Sequence, residues 1–165
     1  MKTRIFLLVL CLAASFSVFA QQEPKFIKDV AVLNEDGSIS PLSPSFGKLM
    51  PTMTMSTRGA KAENRIAQTD TLKLIIKVAD VHVSPMDAVT IYKMHSHKDS
   101  RTTFCGGMIS SKDVIPFRGD VYGSSSFIIY LVNLEMGEYG LLYSAESIEK
   151  SILGEHVMTF FGIDR

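Results

Sequence analysis

The sequence predicts an all-β protein, an antiparallel β-sandwich with at most one short helix near its C-terminus. Three observations carry this reading. At least six short apolar runs recur along the chain, turn-forming residues separate them, and no stretch long enough for a crossover helix shows helical periodicity.

The elements follow in chain order. Phe26 to Leu33 is β-compatible, and Asn34-Glu35-Asp36-Gly37 is a turn in which Gly37 can take positive φ. Ser38 to Leu42 returns as a short strand. Pro41, Pro44 and Pro51 confine this region to edges and loops, because proline removes a ladder donor. From Lys48 to Thr57 the chain alternates after Pro51, which predicts Met53 and Met55 on one face and Thr52, Thr54 and Ser56 on the other. Arg58 to Asn64 is small and charged, as at a hairpin tip. Leu72 to Ala79 is a half-buried strand, with Leu72, Leu74, Ile76 and Val78 on one face and Lys73 and Lys77 on the other.

Val89 to His97 and Arg101 to Cys105 form a hairpin around Lys98-Asp99-Ser100, followed by Gly106-Gly107. Ser126 to Leu134 is apolar on both faces and suits a central strand. Glu138 to Ser144 and His156 to Ile163 supply the last strands. Ala145 to Leu153 is the one candidate helix, with Ile148, Ile152 and Leu153 at helical spacing.

The first twenty residues do not belong to this pattern. Lys2 and Arg4 precede an unbroken apolar run, Ile5 to Leu12, and Val18-Phe19-Ala20 has the small-residue spacing that a signal peptidase requires. The run is too short for a membrane anchor. Cys11, with Leu8 three residues before it, invites a lipoprotein reading, but Leu10 stands where a small residue is expected and the apolar run would be only six residues long. Residues 1–20 are therefore expected to be a cleaved export signal and 21–165 a single β-sandwich domain. The destination is the periplasm or cell envelope, and no transmembrane segment is expected in the mature chain.

Removing the leader changes the charge. The full chain has 17 basic and 17 acidic residues, and without Lys2 and Arg4 the balance becomes 15 to 17. Such a slightly acidic chain has no electrostatic footprint for nucleic acid. Cys105 is left as the one cysteine of the mature chain, so no internal disulfide can form.

The C-terminal third carries a pattern of its own. Asn133-Leu134-Glu135-Met136-Gly137-Glu138-Tyr139-Gly140-Leu141, followed by Phe160-Phe161-Gly162-Ile163-Asp164, resembles an ending found in small exported β-sandwich proteins of Gram-negative bacteria. The resemblance covers about 35 residues. It implies a fold and a compartment and brings no catalytic residues with it. Asp70-Thr71-Leu72 is similar to the acceptor of a bacterial O-glycosylation system.

Two groups of side chains have chemistry beyond packing. His95 and His97, two apart on a strand, project from one face and suit one metal ion. Met50, Met53 and Met55 form an M-x-x-M-x-M run whose thioethers suit Cu(I). The same residues also read as the solvated end of a hairpin and as apolar strand filling. Cys105 as a nucleophile would need a histidine base beside it. G-x-S-x-G, H-E-x-x-H and G-K-[ST] signatures are absent, and so is tryptophan for stacking a sugar. The leading expectation is an exported, non-enzymatic binding or interaction module that meets an envelope protein partner at its edge strands. The alternative is a periplasmic copper- or zinc-binding protein using Met50, Met53, Met55, His95 and His97.

Overall fold

The computed structural model describes residues 21–105, 112–143 and 154–165, and of 154–156 the backbone only. The export signal at 1–20 and the candidate helix at 145–153 lie outside the described residues.

The chain is all-β. Its first hairpin joins β1 (Val30–Leu33) to β2 (Ile39–Leu42) through the expected turn, with Gly37 at φ +83°. Asp36 accepts from the Ser38 amide (2.9 Å) and fixes that turn. β3 (Ser45–Leu49) and β4 (Thr54–Arg58) then form a second hairpin, whose turn falls in the run Lys48 to Thr57 expected to alternate after Pro51. The reason is Pro51, whose fixed φ suits the second position of a tight turn. The Met53 amide closes that turn on the Met50 carbonyl (2.9 Å), and Met53 itself sits at φ +56°. Met53 and Met55 therefore do not share a strand face, which corrects the alternation expected for them.

β5 (Asn64–Ala67) and β6 (Thr71–Lys77) follow, then a single helical turn, α1 (Pro85–Ala88), started by a proline. This is the one helix among the described residues, and it lies mid-chain rather than near the C-terminus. β7 (Val89–Ser96) and β8 (Ser100–Phe104) make the expected hairpin. β9 (Arg118–Tyr122), β10 (Ser126–Val132), β11 (Gly137–Tyr143) and β12 (Gly154–Asp164) complete the set.

Two sheets result. The first is five-stranded and antiparallel, in the order β2-β1-β6-β10-β9. The second runs β11-β7-β8-β4-β3-β12-β5, and an added β11–β12 pairing closes six of its strands into an antiparallel barrel. The expected sandwich is thus replaced by an open sheet packed against a closed one. Closure depends on β12, which has eleven residues. Its first half pairs with β3, its second half lies parallel to β5, and its opposite edge pairs with β11.

Period-two alternation sorts the apolar residues into two cores. Leu72, Leu74 and Ile76 of β6 and Phe127, Ile129 and Leu131 of β10 face the outer wall of the barrel. There they meet Ile91, Tyr139, Leu141, Phe161 and Ile163. Tyr139 and Phe161, opposite each other in register, stack with centroids 5.6 Å apart. The second core fills the barrel with Leu49, Met55, Ala62, Tyr92, Met94, Leu142, Met158 and Phe160. As the sequence indicates, β10 is a central strand, with Ile128 buried on one face and Ile129 on the other.

Candidate functional site

His95 and His97 project from the outer face of the β7–β8 hairpin. Alternation along β7 directs Tyr92 and Met94 into the barrel and Lys93 and His95 out of it. His95 Nε2 lies 2.9 Å from Asp113 Oδ1, and His97 Nε2 lies 3.0 Å from Thr102 Oγ1. Each imidazole thus has its own hydrogen-bond partner on an exposed surface.

The methionines fall elsewhere. Met50 and Met53 belong to the β3–β4 turn, at the end of β4 that pairs with Phe104. The histidine hairpin is tied to the other end of β8, where the His97 amide donates to the Ser100 carbonyl (2.7 Å). Four residues of strand separate the two ends, about 13 Å. Met55 is 1% exposed inside the barrel, on the far side of the wall from His95. The five residues His95, His97, Met50, Met53 and Met55 are not brought together. Among the described residues no three His, Cys, Asp or Glu side chains cluster as metal ligands either.

What Met55 does meet is more sulfur. A Cβ placed on Gly47 would lie 2.6 Å from Met55 Sδ and 3.2 Å from Met158 Sδ, so these thioethers converge over a glycine. Cys105, at the end of β8, packs on the same cluster. Burial pushes its thiol upward, against hydrogen bonds from the Tyr92 hydroxyl and the Met55 amide. Tyr92 is driven to about 12, by burial first and by the Cys105 sulfur second. The sequence offered no sign of Met158 or Met94 as partners of Met55, because the three lie on strands far apart in the chain.

At the β4–β5 end a charged group closes the barrel. Glu138 accepts from the Ala62 amide (2.7 Å) and pairs with Arg65 (2.5 Å), which also bonds Asp164. Arg101, 3% exposed, stacks 5.4 Å above the Phe160 ring and donates to the Gly59 carbonyl (3.1 Å). Its Nε has no hydrogen bond and stands 4.0 Å from Glu138 Oε2.

The sheet ends differ in what they offer a partner. The Asn34 amide donates to Ser38 in the β1–β2 register, so Ile39 and Pro41 turn their backbone groups outward. Pro41 has no donor there, and β2 is blunted. At the start of β5 the Asn64 side chain bonds both the amide (2.8 Å) and the carbonyl (3.0 Å) of Ser43. A cleft of about 770 Å³ between β2 and β5 is lined by Val32, Ser40, Leu42, Arg65, Ile66 and Leu72.

β9 is different. It contains no proline and pairs on one side with β10, and no strand borders its other side among the described residues. Val121 is 54% exposed, and Arg118 and Asp120 are exposed beside it. The strand is held from two directions. Gly119 lies against Pro85 of α1, leaving no room for a Cβ, which would sit 2.7 Å from the proline ring. The β9–β10 turn is pinned by Glu23, which accepts from the Ser124 amide (2.8 Å), Ser126 Oγ (2.6 Å) and Lys77 Nζ (3.1 Å).

No protein-family model, curated protein or solved structure matches the chain. No helix among the described residues is long and apolar enough to cross a membrane.

Proposed function

We propose that the chain is exported, cleaved after Ala20, and acts as a non-enzymatic binding module of the cell envelope. It takes an extended segment of a partner protein onto the outer edge of β9. The observation that carries this reading is the edge itself: five residues without proline, unpaired on one side among the described residues, and buttressed by α1 and Glu23. A rigid edge spares an incoming strand part of the ordering cost, and its backbone groups supply the affinity. The export half rests on the Met1 to Ala20 pattern. It gains support from Glu23, which lies just past the expected cleavage and is needed by the fold.

Two proline variants test the binding mode. Successive residues of an edge strand send their N–H groups alternately toward the neighbour and away from it. Of Asp120→Pro and Val121→Pro, one breaks a bond to β10 and the other removes only an outward donor. The outward variant is expected to keep the thermal midpoint and lose the envelope partner. Retention of the partner by both variants contradicts the reading. For export, the protein from the envelope fraction is expected to begin at Gln21, and an uncleaved cytosolic chain contradicts it.

A further inference from the structure

The two cores of the molecule are made of different atoms. Among the described residues, none of the sixteen buried between sheet and barrel is methionine, whereas three of the eight inside the barrel are. The sulfur is therefore segregated, and Cys105 adds a fourth atom to the same space. Elsewhere the chain fills its core with leucine, isoleucine and valine, which specify packing better than methionine does.

The sulfurs are also aimed at one another. Met55 Sδ and Met158 Sδ both lie within 3.2 Å of the point where a Gly47 Cβ would stand. They are thus held within twice that distance of each other. The Cys105 sulfur accepts from the Met55 amide and packs on the cluster that holds both methionines. Thr103, across the β4–β8 ladder from Met55, has a buried hydroxyl with no hydrogen-bond partner. An orphaned polar atom in an apolar interior is costly unless something occupies the space with it.

We propose that the barrel interior binds one Cu(I) ion, with Met55 Sδ, Met158 Sδ and Cys105 Sγ as ligands and Met94 as the adjacent thioether. Cu(I) is soft and d10, and thiolate with thioethers is the donor set that suits it. Zinc and Cu(II) favour imidazole and carboxylate, which the described residues of this interior do not gather. Binding exchanges one proton for the metal: the Cys105 S–H bond breaks, the Cu–S bond forms, and the proton leaves to solvent. Tyr92 keeps its hydroxyl hydrogen on the sulfur and steadies the thiolate as an outer donor. Cys105 is only partly buried, so the ion has an entry at the end of β8. The site does not depend on the β9 edge and stands or falls separately.

The test is an anaerobic Cu(I) competition against a chromophoric chelator, using the full mature chain. The expected result is one ion per chain, with the affinity weakened at least roughly tenfold by Met158→Leu and by Cys105→Ser. The first is close to isosteric, and an unchanged far-UV spectrum and thermal midpoint of the metal-free variants separate lost binding from lost folding. Met50→Leu with Met53→Leu is expected to leave the affinity unchanged, since those residues lie in the turn. X-ray absorption should show sulfur neighbours only. Failure to compete, binding insensitive to Met158→Leu, or nitrogen and oxygen ligation overturns the proposal.

Discussion

Glu23 shows how one side chain can hold a distant strand in place. Burial pushes its carboxyl upward, but donors from Ser126, the Ser124 amide, Lys77 and Ser125 outweigh burial and bring it to about 2. A carboxylate depressed in the folded state contributes stability above its unfolded value near 4.5, and that contribution disappears as pH falls toward 2. Its size is on the order of 2–3 kcal/mol. Urea unfolding of Glu23→Gln against the parent chain should therefore show a deficit of this order at pH 7 that shrinks steadily between pH 4.5 and 2. A deficit independent of pH would mean that the hydrogen bonds seen at Glu23 do not favour its ionised form. None of this was legible in the sequence. Glu23 reaches a serine turn a hundred residues away, and no local pattern marks such a contact.

At the scale of elements, legibility followed the hydrophobic pattern closely. β6, β10 and β11 are readable because each buries at least one full face, so the alternation of Leu72, Leu74 and Ile76 is almost uninterrupted, and β12 because Met158 to Ile163 is buried throughout. β9 was missed for the opposite reason. Arg118-Gly-Asp-Val-Tyr contains residues depleted in strands, and it is a strand only because β10 and α1 hold it. The β3–β4 hairpin is not legible because Pro51 reads as confining its region to edges and loops, with no signal that it turns one strand back on another. The seat of α1 on β9 yields a prediction at this scale. Gly119→Ala places a methyl 2.7 Å from the Pro85 ring, which cannot rotate away, and 3.2 Å from Ile129. A cost of about 1–3 kcal/mol is expected in thermal unfolding. A neutral effect would mean that α1 is loosely attached and that β9 lacks its buttress.

For the whole molecule, the sequence carried the fold class but not the closure. A sandwich and a sheet-plus-barrel have the same local alternation, and they differ in which strands pair across the chain. Here the difference lies in β12, long enough to serve β3, β5 and β11 at once. The candidate sites follow the same logic. His95 lies on β7 and His97 just past its end, and their distance from the methionines depends on barrel geometry. Met55 found its sulfur partners only through closure. Closing the barrel also removes most of its edges, and among the described residues β9 remains as an edge of the open sheet that no proline blunts.

That edge is the centre of the account, and a photo-crosslinking residue at Val121 in intact cells tests it most directly. An adduct with a defined envelope protein is expected at Val121, none from a crosslinker at Glu35 in the β1–β2 turn, and loss of the Val121 adduct in Asp120→Pro or in Gly119→Ala. Equal adducts at Val121 and Glu35, or none at Val121, would contradict it.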